Sequence, residues 1–116
     1  MLSSLLIICL VNLHRSSPLI ADARLTQAAG VRVRDMAANH YFSHTSPAGK
    51  NAWSAVGYSS GFHIIGEDLA KGFNSEEPVV NAWMNSPSHR RVLQDRQFKK
   101  TGVASYKGYT VELFGD

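Results

Sequence analysis

The sequence predicts an α+β fold with a small antiparallel sheet. Two observations predict it. Apolar residues recur at helical spacing through the earlier part of the chain, while Gly102 to Tyr106 and Tyr109 to Phe114 alternate as two late strands around Lys107-Gly108, a hairpin signal. Helices first and strands clustered last is the order of an α+β chain, whereas a doubly wound fold alternates them. A third observation sets the scale: 116 residues make one domain, expected over residues 1–116 and open to a truncated start. A chain of that size buries roughly two-thirds of its unfolded surface, enough for a core without staples.

Element by element, Leu2, Leu5, Leu6, Cys9, Leu10 and Leu13 fall at i, i+3, i+4, i+7, i+8 and i+11, the stripe of an amphipathic first helix. Leu5 to Leu13 also has the length of a signal-peptide apolar region, with Ala21-Asp22-Ala23 as a cleavage site. No Lys or Arg lies near Met1 and polar residues follow the run closely, so a folded helix is preferred. The run is too short to span a bilayer. Ser16-Ser17-Pro18 turns the chain, and Asp22 caps a second helix whose inner face is Leu25, Ala28, Ala29, Val33, Met36 and Ala37. Residues 41–61 look irregular, with turns at Ser46-Pro47-Ala48-Gly49 and Gly57 to Gly61. Ile64 to Leu69 reads as a short extended segment. A third helix starts at Ser75, with Glu76 and Glu77 where the helix dipole favours acids, and with Val79, Val80, Trp83 and Met84 inward. Ser86-Pro87 starts another, serine as cap and proline at the first position.

Charge narrows the partners. Twelve Lys and Arg against nine Asp and Glu leave +3, a modest excess. Arg90, Arg91, Arg96, Lys99 and Lys100 gather without the interleaved aromatics of a single-strand-binding groove, so they read as a solvated face and no nucleic acid is expected. Cys9 is alone, which excludes an intrachain disulfide and CxxC chemistry. There is no GxSxG elbow, P-loop, HExxH or GxGxxG.

His44, Glu67 and His89 draw attention by placement. His44 precedes a Ser/Pro/Gly turn, Glu67 follows a glycine in an apolar strand, and His89 lies in the first turn of a helix. Element ends are where binding residues concentrate, and a carboxylate inside an apolar strand needs partners. A cap, an edge glutamate and a turn histidine are the structural alternative.

Longer blocks add to this. Tyr41-Phe42-Ser43-His44-Thr45-Ser46-Pro47-Ala48-Gly49, Gly66-Glu67-Asp68-Leu69-Ala70 and Ala82-Trp83-Met84-Asn85-Ser86-Pro87-Ser88-His89-Arg90 resemble the CAP superfamily (cysteine-rich secretory proteins, antigen 5 and pathogenesis-related 1), in its short bacterial SCP-like branch. The resemblance runs from Val11-Asn12-Leu13-His14-Arg15 to Tyr109–Gly115. It implies a three-layer α-β-α sandwich with a small central antiparallel sheet, usually exported, with a central cleft. In many relatives two histidines and two glutamates face that cleft and can hold a divalent metal. His44, His89 and Glu67 match three of those positions, and the fourth falls near Ser86, a poor ligand. The resemblance therefore implies a weak, open, often empty zinc site. The usual Gly-Glu-Asn reads Gly-Glu-Asp, placing a second acid, Asp68, in the expected cleft set of His44, Glu67, His89, Asp68 and Ser86.

The function expected is a monomeric extracellular or cell-envelope module without a membrane span, binding an envelope, lipid, glycan or protein ligand and catalysing nothing. A metal-assisted hydrolase using the same cleft is the alternative. The sequence shows no nucleophile with an assigned base.

Overall fold

The computed structural model describes residues 2–116. In chain order it holds α1 (Ser4–Asn12), β1 (Ile20–Ala21), α2 (Ala23–Asn39), α3 (Ala52–Val56), β2 (Ile65–Lys71), α4 (Glu76–Met84), α5 (Pro87–Leu93), β3 (Lys100–Tyr106) and β4 (Tyr109–Gly115). The strands lie in the order β1-β3-β4-β2. The three long strands are antiparallel, and β1 adds a two-residue parallel pairing with β3.

Alternation along the strands divides the interior in two. Leu69, Val111 and Leu113 face α2 and α3, where they meet Leu25, Ala28, Val33 and Met36. Ala70, Val103 and Phe114 face the other way, toward Ile7 and Val11 of α1, Val79 and Trp83 of α4, and Leu93 at the end of α5. The three-layer α-β-α sandwich follows. Trp83 is 1% exposed, and its indole Nε1 donates to the Leu69 carbonyl, which satisfies the one polar atom that a buried Trp brings with it.

Helix starts follow local chemistry. The Asp22 carboxylate accepts from the amides of Arg24 and Leu25 at the head of α2. Asn51 and Ser54 form a capping box that starts α3, a helix inside the stretch expected to be irregular. Ser75 and Ser86 occupy the cap positions of α4 and α5 without bonding the helix backbone.

The first helix forms, but its inner face is rotated from the expected one: of the expected stripe, Leu2 and Leu10 pack against the core. Ile7, Ile8 and Val11 are buried, whereas Leu5, Leu6, Cys9 and Leu13 of the expected stripe are exposed. Both faces of this helix are apolar, so periodicity alone could not choose between them; contact with α4 and β3 did.

Candidate functional site

Glu67 projects from β2 onto the α2 face of the sheet, and only 5% of its side chain is exposed. Its partner is a residue that no motif marks. Arg32 of α2, 2% exposed, donates from Nε to Glu67 Oε2 at 2.8 Å and from Nη2 to Oε1 at 3.1 Å, a bidentate fork. The same Nη2 donates to the carbonyls of Ser43 and His44 at 3.0 Å, while Nη1 donates to the Tyr41 hydroxyl at 3.1 Å. Tyr41 in turn donates to Asp35. One guanidinium thus ties α2, β2 and the chain around His44 together.

His44 completes the cluster. Its Nδ1 lies 2.7 Å from Glu67 Oε1. A carboxylate can only accept, so this nitrogen carries the proton. The bond to Glu67 is the main reason the imidazole titrates above its usual range; partial desolvation works against it. His89 sits on α5 with Nδ1 2.7 Å from the Ser86 hydroxyl, so Ser86 orients the ring in place of capping the helix. Burial, then the nearby charge of His44, lowers the pKa of His89.

A cleft of about 360 Å³ opens beside this cluster, lined by His44, Thr45, Asn51, Trp53, Gly66, Glu67 and Val92 among others. Gly66 shapes its wall. A Cβ there would stand 2.7 Å from the Phe98 ring and 2.9 Å from Val92, so only glycine lets α5 and the chain beyond it approach the edge strand this closely.

Of the expected cleft set, His44 and Glu67 line this cleft, whereas His89 and Ser86 are not among its lining residues and Asp68 lies on the other face of the sheet. Neighbouring residues on a strand face opposite ways, and Asp68 points into the α1/α4/α5 layer at 1% exposure, across from Glu112 at 0%. Thr101 donates to Glu112 Oε2, while Asp68 Oδ2 and Glu112 Oε1 are without partners. Burial, then Glu112 and Glu67, pushes Asp68 up to about 8; burial also pushes Glu112 up to about 8, against the Thr101 bond and the charge of Arg15.

Nor does the cluster, as arranged, fit the implied zinc site. Both oxygens of Glu67 are taken by Arg32 or His44, so the two imidazoles, each bonded to a neighbour through Nδ1, offer only their Nε2 atoms, fewer donors than the implied site calls for. Among the described residues, no group of three or more His, Cys, Asp or Glu is placed to hold a metal ion. The donor set suits a charge-compensated hydrogen-bonded cluster better than a coordination sphere.

Arg32 carried a signal in the sequence all the same. The inner face of α2 reads Leu25, Ala28, Ala29, Arg32, Val33 and Met36, and an arginine in that phase must be buried with a carboxylate.

The sandwich and its cleft define a small SCP-type domain. The chain belongs to the CAP family, the cysteine-rich secretory protein family, whose model matches residues 12–113. It is similar to the uncharacterized protein YkwD of Bacillus subtilis (strain 168), with 34% identity over 87 residues, covering 74% of this chain and 34% of that protein. Among solved structures, an extracellular protein containing an SCP domain from Bacillus anthracis superposes with a TM-score of 0.91 at 29% identity, over 97% of this chain and 39% of that one. An outer surface protein of Borrelia burgdorferi superposes with a TM-score of 0.87 at 27% identity, over 96% and 90%. The chain spans about a third of the length of the curated relatives it matches. No helix among the described residues is long and apolar enough to cross a membrane.

Proposed function

We propose that the protein is an extracellular binding module that holds an uncharged, hydroxyl-bearing ligand of the glycan class in the His44 cleft and performs no chemical step on it. The observation that carries this reading is the commitment of Glu67: buried and clasped by Arg32 and His44, it works as a structural tie and not as a group offered to a substrate. What the cleft offers a ligand is mixed. Trp53 and Val92 supply apolar surface, while His44, Thr45 and Asn51 supply polar groups. Trp53 stacks on Tyr58 at 6.2 Å and 7°, and Tyr58 is 77% exposed, so an aromatic wall runs outward from the cleft. The Arg32–Glu67 pair is neutral as a unit, which leaves the titrating charge beside the cleft to His44. A sugar ring has both an apolar face for an aromatic wall and hydroxyls for a polar rim. The extracellular setting draws on the Bacillus anthracis and Borrelia burgdorferi proteins, described as extracellular and outer surface proteins.

The test is a glycan and lipid array probed with the purified domain, its Tyr58→Ala variant and its Trp53→Ala variant. Retention on oligosaccharides, weakened by Tyr58→Ala and lost with Trp53→Ala, is the expected result. Retention on lipids alone, or hydrolysis of ester or peptide substrates that disappears in Glu67→Gln, would sink the reading.

A further inference from the structure

The outer face of α1 is aliphatic where a surface helix ordinarily turns charge to water. Leu5 is 69% exposed, Leu6 43% and, just past the helix, Leu13 79%; Cys9 lies exposed between them. At 100° per residue these four side chains fall within one third of the helix circumference.

Basic residues are stitched to the same surface by backbone contacts. Gln94 donates to the His14 carbonyl at 3.1 Å, and Arg15 donates to the carbonyls of Asp95 and Phe98 at 3.0 and 2.8 Å. The Ile20 amide donates to the Lys99 carbonyl at 3.0 Å. The exposed cations Arg96 and Lys99 therefore belong to the segment held at the end of α1 that carries Leu13, while at its other end Glu76 accepts from the Ser3 amide.

We propose that this face docks on an anionic lipid bilayer, with Leu5, Leu6 and Leu13 entering the acyl boundary while Arg96 and Lys99 meet the head groups. The combination is that of an interfacial helix: an apolar stripe with flanking cations, too short to span. A protein partner is less well matched, since the exposed apolar residues of α1 are aliphatic, with no aromatic anchor among them. A fluid bilayer needs no complementary groove.

The experiment is co-sedimentation of the protein with vesicles of phosphatidylglycerol and phosphatidylcholine, against vesicles of phosphatidylcholine alone. Binding is expected only with the anionic vesicles, and raised salt should release it. Leu5→Ser/Leu13→Ser should weaken partitioning at least tenfold, and each of Arg96→Gln and Lys99→Gln about fivefold. Because Cys9 is the only cysteine, an environment-sensitive fluorophore attached there reads insertion in an otherwise unaltered chain, as a blue shift on adding anionic vesicles. Equal partitioning by the leucine variant overturns the proposal. So does a labelled protein that is unresponsive to vesicles, or a dimer in light scattering that the leucine variant dissolves, which would assign the face to a second copy of this chain.

Discussion

At Glu67 a carboxylate almost closed to solvent meets a guanidinium and an imidazole, and the cleft inherits its shape from that meeting. Removing Arg32 strands the carboxylate in the interior. Arg32→Gln is expected to destabilise the fold by about 3–5 kcal/mol in urea unfolding. Arg32→Lys should recover little of this, because a single ammonium cannot reproduce the fork to Glu67 together with the bonds to Tyr41, Ser43 and His44. His44 gives a pH signature whose sign follows from its raised pKa. The folded protein binds this proton more tightly than the unfolded chain does. The contribution is therefore full below the unfolded value, roughly 6.5, and is lost as pH rises through the folded one. In Glu67→Gln the His44 ring should titrate at lower pH, a change that proton NMR of the imidazole reads directly.

At the scale of elements, two glycines set how closely layers approach. A Cβ on Gly102 of β3 would lie 2.1 Å from the Thr26 amide nitrogen of α2, and backbone there has nowhere to go. A Cβ on Gly66 meets only side chains, the Phe98 ring and Val92. Overpacking a core generally costs about 1–3 kcal/mol. Gly66→Ala is expected within that range, and Gly102→Ala beyond it, with a lower denaturation midpoint than Gly66→Ala. Equal midpoints would mean that α2 can slide away from β3. Element order was largely legible: Asp22, Ser75, Ser86-Pro87 and Lys107-Gly108 each mark the boundary their chemistry suggests. The inner face of α1 was not, because that helix is apolar on both sides. Nor was α3, whose five residues are too few to show a period.

Across the whole molecule, the buried acids Asp68 and Glu112 make stability depend on pH. They occupy facing positions on β2 and β4. Charged groups that act on them are Arg15, from the chain after α1, and Glu67 on the other face of β2; Thr101 donates from β3, and α4 presents Val79, Val80 and Trp83 to the same layer. Both carboxyls stand at about 8, above unfolded values near 4, so the folded protein keeps protons that the unfolded chain releases. The contribution of these two groups is accordingly full below about pH 4 and declines as pH rises to about 8, by roughly 1.4 kcal/mol per pH unit for each such proton. Asp68→Asn supplies a donor without a titrating proton. The variant should match wild type near pH 4 and exceed it increasingly toward pH 8 in chemical denaturation. Parallel curves for the two proteins would place the proton elsewhere.

What the sequence by itself determined is what nearest neighbours and short periods encode: the α+β order, the helix starts, the hairpin, a core large enough for one sandwich, and His44, Glu67 and His89 as the residues to watch. Tertiary structure decided which of two apolar faces α1 buries, since a period names both. It sent Asp68 away from Glu67, because adjacent strand residues part to opposite sides of a sheet. It also brought Arg32 to Glu67 across 35 positions of chain, and that ion pair drew Glu67 and His44 into one hydrogen-bonded cluster, with His89 bonded separately to Ser86. Spacing along a chain can single out a polar residue on an inner face; only the fold supplies the partner that makes burying it tolerable.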